Sequence, residues 1–539
     1  MGVPYEHTAS CVAGIVSHIC YFNRGEHHLY GAAYVKIFLG TFGAAVTFLV
    51  YGQGKPVDQA CSTVSWIAVA YLTGIYSSLL VYRLLLHPLN KFPGPLGARV
   101  SNFWFSAQLK RRDAFRKVEK LHRRYGKFVR IGSSDLSITH PKAVNIIYGP
   151  GSKCTKAAWY DLTVPFVSMQ TLRHKALHDQ RRRVWSTAFS DKALRGYEKR
   201  IQVHRNKLLR QIEASAGRPF DLTKWFDLYN FDIMGDLAFG TFFGMLETGE
   251  GHHIIDILHA GQDAVGFMFP DWFMRLMTAI PGLSGDWWKA IEYCHERMDE
   301  RIKSNKDDIP DIASSLLAPL KGKTPQGNDL LMLQGDSQLI VAAGSETTAT
   351  TLTCLFFELA RHPDHITKLR EELAPYMRDP SGEVLNQEIA HLDHLNAVIY
   401  ETLRLYPPVP TALQRKTPPK GIYIEETYVP GDMTVWCSQY VLGRSEEIYT
   451  RAEEFIPERW YLYPDMVKEK SAFAPFSIGP YGCIGRSLAL INLRTTVARI
   501  IMSFDFEFAP GQGGRAFEGG IKDHFTVSLS PLNMLFTKR

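Results

Sequence analysis

Two long apolar stretches lie within the first 90 residues of the chain. Residues 31–52 (GAAYVKIFLGTFGAAVTFLVYG) contain one charged side chain, Lys36, and residues 62–86 (STVSWIAVAYLTGIYSSLLVYRLLL) contain only Arg83. Each stretch has about the 20 residues that a helix needs to cross a bilayer. Because a backbone in lipid must satisfy its own hydrogen bonds, both stretches are predicted to be transmembrane helices.

A shorter apolar stretch precedes them at residues 9–22 (ASCVAGIVSHICYF) and contains His18. It is predicted to be either a third span or a helix at the membrane surface. No basic segment of the kind found in cleaved signal peptides precedes it. The alternative, core helices of a soluble domain, is disfavoured because two nearly uncharged segments of spanning length lie close together. Residues 1–88 are therefore predicted to be a membrane anchor of two or three helices.

The segment after the second stretch sets the predicted orientation and the first domain boundary. Arg83 lies near the end of the stretch and Lys91 and Arg99 follow it, so the positive-inside rule predicts that the rest of the chain faces the cytosol. Residues 89–98 contain prolines on both sides of a glycine and continue neither a helix nor a strand. We predict a stiff hinge here and a separate domain over residues 99–539.

The amino-acid composition excludes several classes of protein. The chain is 45% hydrophobic and 21% charged, which is typical of globular proteins and excludes disordered and collagen-like chains. The net charge of +7 is spread along the chain and predicts no nucleic-acid partner. The eight cysteines form no CxxC pair, which favours a reducing compartment over a disulfide framework.

Helical patterns dominate from about residue 110 onward, as at 113–126, 191–215 and 395–407. Strand-like pieces such as 127–134 and 433–442 are few and short. The predicted fold class is mainly α with a minor β-sheet.

One predicted helix, about residues 330–363, is apolar on most faces and should run through the centre of the fold. Its middle nevertheless carries Gly344, Glu346 and Thr347, which are costly inside a buried helix. Two interpretations stay open. The acid and the alcohol form a proton path to a buried group, or they are a satisfied polar pair that holds two helices together.

A lone cysteine, Cys483, lies in the glycine-rich stretch PFSIGPYGCIGRSLAL (475–490). A thiolate is a soft metal ligand, but the nearby ligands that zinc requires are absent, and so is the local signature of a cysteine nucleophile. A single axial thiolate suits haem iron, because the porphyrin supplies the in-plane ligands. Flanking glycines such as Gly479 and Gly485 would let the loop approach a flat ring. A helix beginning near Ser487 would point its positive end at the sulfur.

A possible ion network follows from two further segments. Glu401 and Arg404 are three residues apart on one helical face, and Arg459 lies in the proline-containing segment FIPERW (455–460). An exposed pair of this kind would contribute little, so its importance depends on burial with the third residue.

Taken in order over nearly all of residues 90–535, these motifs resemble those of the cytochrome P450 superfamily. The stretch FSIGPYGCIG resembles the family's cysteine loop, F-x-x-G-x-R-x-C-x-G, at Phe476, Gly479, Cys483 and Gly485. The resemblance implies that Cys483 is the axial ligand of haem iron and that the other three residues help to bind the haem. It also implies that residues 99–539 form a haem-thiolate monooxygenase domain of the P450 fold.

The other motifs carry further implied roles. The segment AGSETT (343–348) resembles the oxygen-activation motif, so the resemblance implies that Glu346 and Thr347 are catalytic and deliver protons. The E-x-x-R and PERW segments imply a buried structural network, whose members are Glu401, Arg404 and Arg459.

Haem propionate partners are also implied by the resemblance. The stretch HDQRRRVWSTAFS (178–190) resembles the helix that reaches a propionate, with Arg182 and His178 as its partners, and Arg415 occupies another such position. Tyr481 departs from the family, which usually has arginine or histidine there. A neutral phenol can donate a hydrogen bond to a propionate but cannot neutralise it, so we expect Arg182 and Arg415 to carry more of this role.

The resemblance implies a monooxygenase that contains haem b and oxidises a lipophilic small molecule, with NADPH electrons arriving through NADPH–cytochrome P450 reductase and with cytochrome b5 as a further partner. It implies an endoplasmic reticulum membrane location, with the catalytic domain facing the cytosol. The details are similar to fungal P450s of secondary metabolism, including the tryprostatin-hydroxylase-like group. Substrate-determining segments are expected at 155–172, at 267–277 and after Pro408; residues 267–277 either dip into the membrane or pack in the core.

Two other functions are kept as alternatives. One is a reductase-independent haem-thiolate isomerase or dehydratase, and the other is a membrane haem-binding protein without catalysis. Neither needs the acid and alcohol at Glu346 and Thr347, so the presence of this pair favours the monooxygenase.

Overall fold

The computed structural model describes residues 5–251, 253–280, 282–304, 310–377 and 382–539. The chain divides into two compact units. The N-terminal unit comprises Met1–Gln108, Val129–Leu136 and Met268–Gly285; the main unit comprises Leu109–Phe128, Ser137–Phe267 and Asp286–Arg539.

Helices make up most of the described chain, as predicted. They are α1 Tyr5–Ser17, α2 Gly31–Thr47, α3 Val57–Val81, α4 Leu96–Val100, α5 Phe103–Ser106, α6 Ala114–Tyr125, α7 Ala143–Tyr148, α8 Lys175–Ala188, α9 Asp191–Ser215, α10 Leu222–Phe239, α11 Met245–Thr248, α12 His253–Gln262, α13 Asp271–Ala279, α14 Gly285–Ser304, α15 Ile312–Leu317, α16 Asn328–Arg361, α17 Pro363–Leu373, α18 Asn386–Ile389, α19 Asp393–Leu405, α20 Gln439–Gly443, α21 Arg486–Ser503 and α22 Arg515–Gly520.

The strands are short. They are β1 Phe128–Arg130, β2 Asp135–Ile138, β3 Thr155–Lys156, β4 Phe220–Asp221, β5 Arg415–Lys416, β6 Ile422–Ile424, β7 Thr427–Val429, β8 Thr434–Trp436, β9 Phe504–Phe508, β10 Lys522–His524, β11 Thr526–Ser528 and β12 Asn533–Lys538.

In the N-terminal unit, two helical segments are long and apolar enough to cross a membrane, His28–Gly52 and Val57–Lys91. They include both stretches predicted from the sequence. In the most apolar 18-residue window of each segment, 0% and 11% of the residues are buried, which suits helices that face lipid.

The third apolar stretch forms α1, which packs closely along α3. A Cβ atom added to Gly14 or Gly74 would overlap the backbone of the opposite helix. His18 Nδ1 and Ser78 Oγ lie 2.9 Å apart across the same interface. Small residues and side-chain hydrogen bonds of this kind are typical of helix pairs inside membranes.

The predicted hinge is held against a strand of the same unit. The Arg130 N–H donates a 2.8 Å hydrogen bond to Pro93 O, and a Cβ atom on Gly94 would overlap the Arg130 carbonyl oxygen. Leu89 is buried, and α4 begins directly after Pro95. The segment is therefore packed against this strand, and its role as a hinge stays a prediction.

The aromatic segment at 267–277 forms much of α13, which packs against α2 within the N-terminal unit. Its Trp272 side chain is 46% exposed, and the Trp272 and Phe273 rings contact the Phe103 ring, with centroids 5.8 Å and 5.0 Å apart. An exposed tryptophan next to a candidate span favours the membrane-dipping interpretation of this segment.

In the main unit, α16 confirms the predicted central helix. It packs along α10, and 72% of its most apolar 18-residue window is buried. Thr347, Thr351 and Thr353 donate side-chain hydrogen bonds to carbonyl oxygens one turn earlier, so their hydroxyl groups are satisfied within the helix. The helix continues without interruption past Gly344, where a side chain would overlap Met234.

Short antiparallel pairings bring distant segments of the main unit together. Strand β5 pairs with β3 and β8, and this register places Lys156 opposite Arg415. Strand β11 pairs with β10 and lies along α16.

The predicted strand at 433–442 is wrong in its second half. Its strand covers only Thr434–Trp436, because Ser438 accepts a hydrogen bond from the Val441 N–H and caps α20.

The predicted ion network is buried completely. Glu401 accepts hydrogen bonds from Arg404 at 2.8 and 2.9 Å and from Arg459 at 3.0 Å, and all three side chains are 0% exposed. The two guanidinium groups also donate to backbone carbonyls, including those of Thr450 and Glu454. Because the carboxylate lies between two guanidinium groups that also bond backbone carbonyls, the network fixes the segment after residue 450 on α19.

Replacing Arg459 with alanine should leave the Glu401 carboxylate buried with one cation fewer. We expect a loss of about 3–5 kcal/mol in the free energy of unfolding, the usual cost of breaking a buried ion pair. Chemical denaturation measures it. The control is Arg451→Ala, which removes a half-exposed ion pair with Glu454 and should change little. Equal stability of the two variants would contradict this assignment.

Candidate functional site

Cys483 lies on the wall of an apolar cavity of about 300 Å³ in the main unit. A larger cavity of about 770 Å³ exists, but charged residues such as Glu358, Arg444 and Glu458 line it. The smaller cavity has the features of a small-molecule site, because a mostly apolar wall surrounds a few convergent polar groups. Its wall comes from α8, α10, α16, the cysteine loop, strand β5 and the turn between β10 and β11.

The cysteine loop is built by tight backbone hydrogen bonds. Cys483 N–H donates to Phe476 O at 2.8 Å, and Gly482 N–H donates to Gly479 O at 3.0 Å. Gly479 has φ +69°, and a Cβ atom there would overlap the Tyr148 carbonyl oxygen. Within the protein, this glycine is therefore required by contact with the loop after α7. The helix that follows begins at Arg486, one residue before the predicted start.

The Cys483 thiol lies deep in the protein with its surface open to the cavity. Burial raises the pKa of this thiol, and the N–H of Gly485 and the charge of Arg182 oppose that effect only in part. At neutral pH the sulfur therefore keeps its proton until a metal ion displaces it. The helix terminus supplies N–H groups from Gly485 and Arg486 that would stabilise the thiolate.

A group of cations gathers on the same cavity wall. Lys156, Arg182 and Arg415 all line the cavity. Burial, together with the charges of Arg415 and Arg182, lowers the pKa of Lys156 to about 6. Such a group of like charges favours binding of an anion, which would restore the charge on Lys156. No sequence motif indicated Lys156, because its position depends on the pairing of β3 with β5.

Tyr481 lies in the middle of these cations. Its ring centroid is 4.7 Å from Lys156 Nζ, 5.0 Å from Arg415 Cζ and 4.6 Å from the His178 ring centroid. The Tyr481 ring therefore faces the positive charges of Lys156 and Arg415. An arginine at position 481 would be repelled by these charges. Among the described residues, neither its hydroxyl nor Arg415 Nε has a hydrogen-bond partner, although both atoms are buried. Buried orphan groups of this kind indicate a polar ligand in the cavity.

The predicted propionate partners have these contacts. Arg182 donates a 2.7 Å hydrogen bond to Gly482 O, so it braces the cysteine loop from the cavity side. Arg415 donates to Tyr160 Oη at 3.0 Å. His178 Nδ1 lies 3.1 Å from the Asp179 carboxylate, and burial lowers the pKa of His178 to about 4, so this imidazole is neutral.

The two predicted catalytic residues face different spaces. Thr347 lines the apolar cavity, and its hydroxyl donates to Ala343 O at 2.9 Å. The Glu346 carboxylate lines a second cavity of about 260 Å³ behind α16. It accepts hydrogen bonds from Thr526 at 2.6 Å and from Gln262 at 3.0 Å. Because Thr526 also lines the apolar cavity, its hydroxyl connects the acid to that cavity.

A second acid, Asp227, shares the cavity behind α16 with Glu346. Burial, together with the charge of Glu346, raises the pKa of Asp227 to about 8. At neutral pH this carboxyl group therefore holds a proton close to Glu346. The second cavity also contains Lys522 and His524. Sequence patterns did not reveal Asp227 or Thr526, because both meet Glu346 only through tertiary contacts.

Residues 93–532 match the family model of cytochrome P450. The chain is a cytochrome P450. The predicted family and the predicted mainly helical fold are confirmed.

This P450 is similar to curated fungal enzymes over nearly its whole length. It is 47% identical to tryprostatin B 6-hydroxylase of Aspergillus fumigatus, over 99% of this chain and 96% of that protein. It is 45% identical to cytochrome P450 monooxygenase notG' of Aspergillus versicolor, over 98% of this chain and 97% of that protein. It is 38% identical to cytochrome P450 monooxygenase lcsK of Purpureocillium lilacinum, over 100% of this chain and 99% of that protein. The predicted enzyme class, a monooxygenase, is confirmed.

The residues around the cavity fit the haem that this family implies. The Cys483 sulfur is free to bind iron, and the Lys156, Arg182 and Arg415 cations match the two carboxylates of haem b. The orphan Tyr481 hydroxyl would then gain an acceptor. The individual roles of these residues, with those of Phe476, Gly479 and Gly485, stay predictions.

Replacing Cys483 with serine should abolish the thiolate signature of the haem, because an alcohol is a much poorer ligand for iron. The reduced, carbon-monoxide-bound absorption spectrum measures this. Cys20→Ser is the matched control, since Cys20 is an exposed cysteine in the N-terminal unit, and it should keep the signature. An unchanged spectrum in Cys483→Ser would contradict the assignment.

Replacing Lys156 with methionine should weaken haem retention, because the cation group then loses one partner for a carboxylate. We expect a decrease of about tenfold or more in haem affinity, measured by transfer of haem to an apo-globin acceptor. The control is Lys175→Met, a half-exposed lysine that is ion-paired with Asp179. Equal retention by both variants would exclude a propionate role for Lys156.

Proposed function

We propose that this P450 is a membrane-anchored monooxygenase that contains haem b and uses NADPH-derived electrons to hydroxylate or otherwise oxidise a lipophilic small molecule. The observation that carries the proposal is the placement of Thr347, and of Glu346 through Thr526, beside the cavity that contains Cys483. A haem-binding protein without catalysis has no need for this arrangement.

When bound, the haem supplies the oxygen-activating chemistry. Cys483 would hold the iron through its sulfur. The Lys156, Arg182 and Arg415 side chains would orient the haem through its carboxylates, and the apolar wall of the cavity would exclude water from the substrate.

Proton supply would come from the cavity that contains Glu346 and Asp227, behind α16 from the Cys483 cavity. Asp227 holds a proton near Glu346, and the Thr526 hydroxyl connects Glu346 to the apolar cavity. Thr347 presents a second hydroxyl in the same cavity. The two hydroxyl groups would pass protons from the acids to the site of oxygen activation.

The two candidate spans of the N-terminal unit support the proposed location. We propose that the protein lies in the endoplasmic reticulum membrane with its main unit on the cytosolic side, because Arg83 lies near the end of the second apolar stretch and Lys91 and Arg99 follow it. NADPH–cytochrome P450 reductase would supply electrons there, with cytochrome b5 as a second donor.

The relatives suggest the substrate class. One of them is named for hydroxylation of tryprostatin B. The cavity of this P450 has mostly apolar walls, which include Phe189, Met234 and Phe525. We therefore propose a hydrophobic fungal secondary metabolite as substrate, and tryprostatin B is the first compound to test.

Reconstitution with reductase tests the proposal. Membranes that contain this P450 are incubated with tryprostatin B and extracts of fungal metabolites, with and without NADPH and reductase. Product formation that requires both components is the expected result. Turnover without NADPH would identify the isomerase or dehydratase alternative. A reducible haem with no turnover of any extract would favour the haem-binding alternative.

Replacing Thr347 with alanine should slow product formation and raise the amount of peroxide released per NADPH, because a cavity hydroxyl is lost. Thr526→Val should have the same effect, since it disconnects Glu346 from the cavity. We expect reductions of about 10-fold to 100-fold, measured as product and peroxide in one reaction. Thr353→Val is the control, because its hydroxyl donates to Ala349 O in the same helix and it does not line the Cys483 cavity among the described residues. If Thr526→Val released no more peroxide per NADPH than the wild type, proton transfer from Glu346 through Thr526 would be contradicted.

The raised pKa of Asp227 gives a pH prediction. Below about pH 8 this carboxyl group is protonated and can supply Glu346, and above that pH the supply is lost. Product per NADPH should therefore fall as the pH rises through 8. Asp227→Asn should give a low yield with no such transition. A transition that persists in this variant would show that another group is responsible.

A further inference from the structure

A second cluster of metal-binding side chains lies outside the apolar cavity of Cys483. His365 of α17, His394 of α19 and Glu458 of the turn at 457–460 come together there. His365 and His394 are 5% and 4% exposed. None of the three residues lines the apolar cavity, so the haem does not account for them.

The donor atoms of the cluster are close to one another. One nitrogen of each imidazole and one Glu458 oxygen all lie within 4.8 Å of each other. His365 Nδ1 is 3.6 Å from Glu458 Oε1, which is too far for a hydrogen bond. The two imidazole rings are tilted by 36°, with centroids 5.2 Å apart.

Each imidazole has a buried nitrogen that bonds to none of the described residues. His394 Nδ1 lies 3.1 Å from the Tyr461 hydroxyl, which fixes the ring and leaves Nε2. Among the described residues, His394 Nε2 and His365 Nδ1 are buried and have no hydrogen-bond partner. Two neighbouring buried nitrogens without partners are unusual and indicate a missing atom between them.

The imidazoles are also in the protonation state that a metal needs. Burial lowers the pKa of His394 to about 4 and lowers the pKa of His365 as well. Both rings are therefore neutral at physiological pH and have a lone pair available without loss of a proton.

We propose that His365, His394 and Glu458 bind one divalent transition-metal ion, with zinc as the preferred metal. Two imidazole nitrogens and one carboxylate oxygen are a common protein ligand set for zinc, with the fourth position left to water. Zinc ligands at about 2.0–2.2 Å on a tetrahedron lie about 3.4 Å apart. Small side-chain rotations therefore close the donor triangle.

Lys368 competes for the carboxylate. Its Nζ atom lies 2.6 Å from Glu458 Oε1, and its side chain is 46% exposed, so it can turn into solvent. If the cluster is only an ion pair beside two packed histidines, Lys368 neutralises Glu458 and the cluster should not bind zinc. If the cluster is a metal site, removing Lys368 should strengthen zinc binding.

A zinc ion here would join three segments of the chain. It would connect α17 and α19 to the turn that carries Arg459, next to the buried Glu401 network. Because the ligands are brought together only in the folded protein, zinc should raise the thermal midpoint of unfolding.

Zinc titration of the full-length, haem-loaded protein tests the proposal. The protein is purified through a tag without histidine, treated with a chelator and titrated with zinc against a chromophoric competitor. Bound zinc per haem is measured by mass spectrometry. We expect one equivalent in the wild type and affinity at least about tenfold lower in His365→Ala and in His394→Ala. His391→Ala removes an exposed histidine near Tyr376 and should bind zinc like the wild type.

The Lys368→Met variant tests zinc binding at the cluster even if a histidine variant does not fold. Its zinc affinity should rise above that of the wild type, and its thermal midpoint should increase with zinc. Affinity that is unchanged or lower in Lys368→Met would overturn the proposal. So would a wild type that binds no equivalent of zinc, or zinc binding that both folded histidine variants retain. The haem absorption spectrum of each variant shows whether it has folded.

Discussion

The position of the cysteine loop depends on one buried carboxylate. Glu401 accepts hydrogen bonds from two arginines and from the Trp460 indole, at distances of 2.8 to 3.0 Å. The Trp460 ring contacts Phe473 with centroids 4.5 Å apart, and Phe473 lies two residues before the loop starts at Pro475. The charge on Glu401 therefore fixes, through two aromatic rings, the segment that leads to Cys483.

The haem cavity collects groups whose protonation changes when a ligand binds. Cys483 is a thiol because it is buried, and burial, together with the nearby charges of Arg415 and Arg182, lowers the pKa of Lys156. An iron ion and two carboxylates would reverse both changes. Binding of the haem and charging of Cys483 and Lys156 would thus be one process, beside the charges that Arg182 and Arg415 already carry.

Short motifs predicted the residues whose roles follow from local structure. Cys483 precedes the start of a helix, and Glu401 and Arg404 share one turn, so sequence spacing was sufficient to place them. Lys156 and Thr526 could not be predicted, because a strand pairing and a contact between β11 and α16 give them their roles. Residues 437–442 were predicted as part of a strand over 433–442, but the Ser438 cap favours a helix.

Two adjacent residues at the turn between β10 and β11 contact different parts of the site. Phe525 stacks on Trp159, with ring centroids 4.7 Å apart, and lines the space for substrate, while Thr526 is bonded to the carboxylate behind α16. A molecule that displaces Phe525 would also pull on Thr526. Poorly fitting compounds would then waste reducing equivalents, so a new specificity could evolve efficiently only through changes that leave this turn in place.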